Sequence, residues 1–473
     1  MEWFSAPDYW LTRWLIERSL ALVYLIAFAN VLLQFVPLLG TNGLLPVPRF
    51  LAGAPFREAP SLFQWRYSDR LAMGVGWVGA AVSALLLAGV PQAMPLPVTM
   101  GAWALLYLLY LSIVNVGQTW YAFGWESLLL EAGFLAIFLG NDAIAPPFLA
   151  LLGFRWLAFR VELGAGLIKL RGDRCWRDLT CMDYHHETQP MPNPLSWWFH
   201  RAPRRFHRLE VLGNYAAQLV APFGLFLPQP LASLAAGVMI ATQGYLVLSG
   251  NYAWLNVLTM IAALAAVSDG FLRLVLPIDP PALLAAPPWF IVVVLLVSGA
   301  VLVLSWWPLR NLVSGRQLMN FSFNRYHLVN TYGAFGSVGK ERIEVVIEGT
   351  DATDPRRADG WREYEFRGKP TDPHRRPPQV APYHLRLDWL MWFAGISPMF
   401  AAEWFPVLVT KLLEGDRRVL GLLRANPFPD GPPRYVRART YLYRFSTRRE
   451  RRDTGAWWRR ELVGEFLPPV KLP

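Results

Sequence analysis

Residues 175–194 read CWRDLTCMDYHHETQPMPNP and gather both cysteines of the chain, two of its seven histidines and a glutamate. A tetrahedral zinc site needs four converging ligands. Cys175, Cys181, His185 and His186 do not have that spacing, because adjacent histidine side chains diverge, so the pattern predicts no metal. A thiol redox pair relies on the CxxC geometry that lowers one thiol's pKa, and Cys-x5-Cys lacks it. The two cysteines fit a structural disulfide if the loop faces an oxidising compartment, and two reduced, half-buried thiols if it does not. His185 or His186 beside Glu187 offers groups that titrate near neutrality and can move protons. The competing reading is a structural loop in which these side chains hydrogen-bond to fix a re-entrant turn. Trp176, Tyr184, Trp197 and Trp198 then form an interfacial aromatic belt, and Pro190, Pro192 and Pro194 stiffen the exit. On the residues alone the structural reading is favoured.

A second set of ionisable residues lies just upstream. Charges within a membrane span are costly and usually face the bundle interior. Arg155, Glu162 and Lys169 are spaced by seven and seven within an apolar run, and each step of seven drifts only about 20° around a helix. The three therefore share one face, joined by Gly166, which allows a neighbour to approach closely. Arg160 lies well off that face. Two readings compete: Arg155 and Lys169 snorkel from the two ends while Glu162 pairs with a neighbour, or the stripe lines a cavity. In the preceding run Glu126 and Glu131 are five apart, on different faces, and are expected to pair structurally with arginines of other elements.

The elements that must position these residues are apolar helices. Of the 473 residues 54% are hydrophobic, and mean hydropathy is +0.27. Nine runs come near the roughly 20 residues that span a bilayer: 14–36, 71–90, 98–116, 120–140, 147–170, 211–228, 231–249, 252–275 and 288–309. The expectation is a polytopic α-helical membrane protein of eight to ten spans. Residues 1–315 form the membrane domain, with a long loop at 171–210. The tail changes texture near residue 316. RIEVVIEG (342–349) and REYEFRG (362–368) alternate as half-buried strands do, and an amphipathic helical pattern lies within 402–425. These features predict a water-facing α+β domain over 316–446, followed by a basic Trp- and Arg-rich tail over 447–473.

Charge is uneven: 18 basic against 16 acidic residues in 1–315, and 27 against 18 in 316–473. Anionic lipid headgroups are the simplest partner for such a tail beside a membrane, and no motif points to nucleic acid. Only five of the 45 basic residues are lysine, which points to a GC-rich genome and hence a bacterial inner membrane. No cleavable signal peptide is expected, since the first apolar run is long enough to be retained. Two cysteines are too few for a disulfide scaffold. The long loops at 37–70 and 171–210 are arginine-rich, so the positive-inside rule alone leans towards a cytoplasmic face for both.

The run CWRDLTCMDYHHETQPMPNPLSWW resembles the signature loop of the lipase maturation factor family. GWESLLLEAGFLAIF (124–138) and RWLAFRVELGAGLIKLRGD (155–173) are similar to that family's preceding membrane block. NTYGAFGSVGKERIEVVIEGT, WREYEFRGKP, LRLDWLMWFAG, LLEG and ANPFP resemble its C-terminal domain, so the likeness covers nearly the whole chain. It implies a membrane protein of the endoplasmic reticulum in animals, required for folding and assembly of secreted lipases. The loop and C-terminal domain would then meet clients on the lumenal side, opposite to the charge-based lean. There a Cys175–Cys181 disulfide is reasonable, and Cys175, Trp176, Cys181, Tyr184, His186, Gln189 and Trp197 would present the client-facing loop surface. More distantly, GAGLIKL followed by Trp176 is similar to a segment of vitamin K-dependent carboxylase and its bacterial membrane relatives, where the lysine corresponding to Lys169 lies in the active site.

The leading expectation is thus a membrane-embedded maturation factor for secreted lipases or other exported proteins. The alternative is a membrane enzyme acting on a lipid or lipophilic cofactor, with Lys169 as base or nucleophile and Glu162, His185 and Glu187 assisting. A transporter fits least, because no internal repeat or pair of broken helices is visible. No motif implies a resident cofactor, and no pattern specifies an oligomeric state.

Overall fold

Apolar runs in a membrane protein become helices because lipid offers the backbone no hydrogen-bond partner. The computed structural model describes residues 3–356 and 360–472. In chain order its main helices are α1 (Trp10–Leu39), α2 (Asp69–Ala88), α3 (Leu96–Val116), α4 (Gly124–Ala136) and α5 (Phe148–Arg171). Within the long loop lies α6 (Met182–Thr188), followed by α7 (Arg204–Tyr215), α8 (Leu231–Ser249), α9 (Leu255–Leu264) and α10 (Pro288–Leu304). Among the described residues, five helical stretches are long and apolar enough to cross a membrane: Pro7–Leu39, Asp69–Ala88, Leu96–Val116, Leu231–Ser249 and Pro288–Val313.

The other four apolar runs resolve differently, and burial explains why. Residues 120–140 yield α4, which at 13 residues is only about 20 Å long, short of a bilayer core. Residues 147–170 form α5, which has the length, at 24 residues, but carries Arg155, Arg160, Glu162 and Lys169. Residues 211–228 continue α7 through a π-helical turn (Ala216–Val220) into the short helix Ala221–Gly224. Residues 252–275 give only the ten-residue α9 and a short turn, Asp269–Leu272. Helix α9 packs on α1, α4, α5 and α8, so its apolar character serves a protein core rather than a lipid contact.

The C-terminal part forms a four-stranded antiparallel sheet in the order β2-β1-β3-β4. Its strands are β1 (Arg342–Thr350), β2 (Arg362–Glu363), β3 (Tyr435–Phe445) and β4 (Trp458–Val470). Strand β1 falls where the alternation predicts it, whereas only two residues of REYEFRG pair with it, Glu363 with Glu348 and Arg362 with Gly349, and Glu365 forms an isolated bridge to Ala425. Helix α11 (Arg386–Ile396) packs across β1; a Cβ at Gly395 would overlap the Ile343 carbonyl, so glycine permits the contact. The amphipathic segment becomes α12 (Phe405–Leu413), whose Leu408, Val409 and Leu412 are buried. The expected tail over 447–473 is, in its described residues, part of the sheet: it carries α13 (Arg448–Thr454), opened by a Thr447/Glu450 capping box, and β4, one of the two edge strands.

Nor does the C-terminal part stand apart from the membrane part. One core runs through both, from Leu20 and Tyr110 to Val345 and Leu408. Arg386 enters the helical bundle fully buried. Its Nη1 donates to Glu126 Oε1 (2.8 Å) and to the Trp120 carbonyl (2.6 Å), and its Nε donates to Asn30 Oδ1 (2.9 Å). Tyr110 Oη donates to the other Glu126 oxygen, and the guanidinium lies 3.5 Å from the Tyr121 ring centroid. Removing one partner of such a pair strands a buried charge and costs about 3–5 kcal/mol. Arg386→Met should therefore lower the unfolding midpoint in detergent sharply. The Glu126→Gln/Arg386→Met double variant should recover part of the loss, and equal losses in both would refute the pairing as the cause.

Candidate functional site

The charged face of α5 opens on a cavity of about 1040 Å³, at the upper end of the roughly 300–1,000 Å³ usual for small-molecule sites. Its walls come from α5, α7 with its π turn, α8, α9, the disulfide-bearing loop, residues 317–337 and α11. Glu162 and Lys169 both line it, as their spacing predicts for a stripe facing a cavity. Gly166, on the same face, sits against Gln218 and Leu219, where a Cβ would overlap the Leu219 side chain. Lys169 Nζ donates to Asn214 Oδ1 (2.7 Å) and Gln218 Oε1 (2.9 Å) and stands 5.0 Å from the Trp176 ring centroid. Glu162 Oε1 accepts from Gln243 Nε2 (2.8 Å), and Gln243 Oε1 accepts from Asn256 Nδ2 (2.7 Å).

Arg155 does not join this site. Its guanidinium donates to the carbonyls of Ala265 (2.9 Å) and Leu225 (3.3 Å), which end two other helical segments. The full seven-by-seven stripe is therefore divided: its lower two residues face the cavity and its upper one ties helix ends together. Arg160 pairs with Glu131, which also accepts from Asn330 N (3.0 Å) and Tyr332 Oη (2.8 Å). Glu126 and Glu131 are thus both structural, one held by Arg386 and the other by Arg160.

The loop above the cavity is closed by a Cys175–Cys181 disulfide, with Cα atoms 4.9 Å apart, well inside the bridging range. Both cysteines are consumed, so neither is a thiolate ligand. His185 lines the cavity and its Nε2 lies 3.1 Å from Tyr252 Oη. The Tyr252 proton goes to Gln189 Oε1 (2.6 Å), because the Gln189 amide nitrogen is already committed to the carbonyls of His186 and Ser249. Tyr252 must then accept from His185 Nε2–H, which leaves Nδ1 as a bare acceptor. Burial, with His186 and Lys169 nearby, pushes the His185 pKa down to about 3, so the ring is neutral.

The rest of the loop is bolted to the sheet. Glu187, expected as an assisting group, lies outside the cavity: its Oε2 accepts the Phe445 backbone N–H (2.5 Å), and burial pushes its pKa up. Arg342 donates to the carbonyls of Glu187 (3.1 Å) and Pro190 (3.0 Å), and Trp197 Nε1 donates to the Ser446 carbonyl (2.9 Å). His186 pairs with Glu210 (2.9 Å), and Trp176 Nε1 reaches the Phe335 carbonyl (2.8 Å). Of the seven residues expected to present a loop surface, Trp176, Cys181, His186, Gln189 and Trp197 are buried; only Cys175 and Tyr184 are partly accessible. Their side chains hold the loop in place rather than face outward.

The cavity also uses residues that spacing arguments passed over: Asn214, Gln218, Gln243, Tyr252 and Asn256. Asn214 and Gln218 stand four apart in an apolar run, one helical turn, and Gln243 is an isolated polar residue within a span. Those were the available signals.

The site carries a pH dependence. Burial holds His185 at about 3 and, with Arg386 beside it, His384 at about 4, against about 6.5 in an unfolded chain. The folded protein binds fewer protons, so stability is full above about pH 6.5 and is lost as pH falls towards the folded values. The unfolding midpoint should drop steadily from pH 7 to 5, each histidine contributing up to about 1.4 kcal/mol per pH unit. His185→Asn should flatten that slope, and an unchanged slope would show that His185 is not buried neutral.

Comparison with known proteins gives the chain its relatives. Residues 11–274 match the lipase maturation factor transmembrane domain, and residues 328–468 match the lipase maturation factor C-terminal domain. The chain is 42% identical to lipase maturation factor 1 of Homo sapiens, over 98% of this chain and 88% of that protein. It is 41% identical to lipase maturation factor 1 of Bos taurus, over 98% and 90% respectively. Lipase maturation factor 2 of Homo sapiens is 30% identical over 98% of this chain and 83% of its own length. No solved structure matches. With both domains matched in order along a chain that carries apolar spanning helices, this is an integral membrane protein and belongs to the lipase maturation factor family.

Proposed function

We propose that this chain is a membrane-embedded maturation factor for secreted lipases or other exported proteins, and that it engages them from the side bearing the loop and the C-terminal sheet. The observation that carries this reading is the disulfide-closed loop, docked through Glu187, Trp197 and Arg342 onto a sheet, in a chain whose two parts match both family domains. Because the loop side chains are buried, client contact falls to the sheet they brace. Strand β4 is the longer of its two edges, and an edge strand offers unpaired backbone groups to an extended segment. Leu462 and Val463 stand exposed along it.

The same reading assigns a side of the membrane. A disulfide belongs in an oxidising compartment, which favours the extracytoplasmic or lumenal face. Loop arginines that weigh against it in the positive-inside rule have structural work: Arg201 donates to the Phe445 and Ser446 carbonyls, each at 2.7 Å. In a bacterium this is the outer face of the inner membrane.

A photoreactive residue at Val463 should capture an unfolded exported lipase in cells that secrete one, and deletion of the protein should reduce secreted lipase activity several-fold. No captured client, together with unchanged lipase activity on deletion, would refute the reading. Alkaline phosphatase fused to the C-terminus should be active, and an inactive fusion at normal expression would reverse the orientation.

A further inference from the structure

The maturation reading makes no use of the cavity under the loop. Its walls are mainly apolar, with Val161, Ala165, Ile168, Leu246, Leu255 and Phe335 among them. At its margin Phe206, Leu209, Leu318, Met319 and Ile396 carry exposed apolar side chains from α7, the 317–337 segment and α11. An apolar body can therefore enter without crossing a polar gate.

The unpartnered buried polar atoms of the lining are mostly acceptors. Glu162, His185 and Asn256 are all more than nine-tenths buried and line the cavity. Glu162 Oε2, His185 Nδ1 and Asn256 Oδ1 have no hydrogen-bond partner within the protein. These three atoms are acceptors: a carboxylate oxygen, an amide oxygen, and the ring nitrogen left bare by the Tyr252–Gln189 relay, whereas Trp389 Nε1, also buried and unpartnered on the lining, is a donor. Buried acceptors without partners are expensive, so a molecule bringing O–H or N–H donors gains most here.

Charge narrows the choice further. An anionic head would meet Glu162 and Glu210, while Lys169 has two of its three donors committed to Asn214 and Gln218. A cationic head would meet Lys169. A neutral head with hydroxyl donors meets neither conflict.

We propose that this cavity binds an uncharged amphiphile with a long apolar body and a hydroxylated head, the head donating hydrogen bonds to Glu162, His185 and Asn256. The site is separate from the sheet edge assigned to clients and does not depend on that assignment.

The test uses the full chain in phosphatidylcholine nanodiscs and a dioleoylglycerol analogue with a diazirine in one acyl chain. Labelling should be saturable, confined to the cavity-lining parts of α5, α7, α8 and α9, and competed by dioleoylglycerol but not by oleate. Glu162→Gln, which replaces an acceptor with a donor, should weaken labelling at least about tenfold. Ala241→Trp narrows the cavity from α8, leaves every polar group in place, and should weaken labelling as well. Labelling that neither variant changes, that spreads over lipid-facing α2 and α10, or that oleate competes equally well would overturn the proposal.

Discussion

Glu126 and Arg386 meet fully buried in the middle of the protein, and much of the architecture follows from that contact. A carboxylate and a guanidinium taken out of water lose several kcal/mol of hydration each, and recover it only when geometry and additional hydrogen bonds are good. Here the geometry is good. Arg386 has Asn30, the Trp120 carbonyl and the face of Tyr121 besides its carboxylate, and Glu126 has Tyr110. The pair joins α4 of the membrane part to the first turn of α11 in the C-terminal part. Because α11 lies on β1, the sheet is held at a fixed position relative to the bundle. A chain of this composition could have hung its tail on a linker; the buried pair makes it one body instead.

The disulfide loop sits in the seam that this arrangement creates. Its underside supplies Trp176, Met182 and His185 to the cavity, and its upper side is held by Arg342 and the ends of β3. The same twenty residues therefore line the cavity on one side and brace the sheet on the other. That double duty explains their density of polar and aromatic types. Each buried polar group in such a seam must find a partner, and the backbone carbonyls left open by a proline-rich turn supply acceptors for Arg342.

Much of this is legible in the chain itself. The seven-residue spacing of Glu162 and Lys169 put both on one face of α5, since a helix returns to nearly the same direction every two turns. The alternation in RIEVVIEG marked β1 for the same kind of reason, a period of two. Arg155 escaped the pattern because its long side chain reaches carbonyls at the ends of two other helical segments, and sequence spacing says nothing about those. Glu187 escaped it because its partner, the Phe445 amide, is 258 residues away along the chain. Among the described residues, nine apolar runs yield five helices long and apolar enough to cross a membrane for a related reason: α4 and α9 are as apolar as spans, but a protein core demands apolar residues just as lipid does.

Periodicity and local chemistry suffice for the membrane class, the family, the face of α5, the strand β1, and the mismatch of the cysteines to any metal or redox motif. Which distant groups converge is set by the three-dimensional fold alone. It made the cysteines a disulfide, turned the loop side chains inward, folded the supposed tail into the sheet as β4, and surrounded Lys169 with Asn214 and Gln218 from another helix. Hydrophobic periodicity records how a segment is oriented towards an interior. It carries no record of what occupies that interior, because the contacts that shape a cavity are made between segments far apart along the chain.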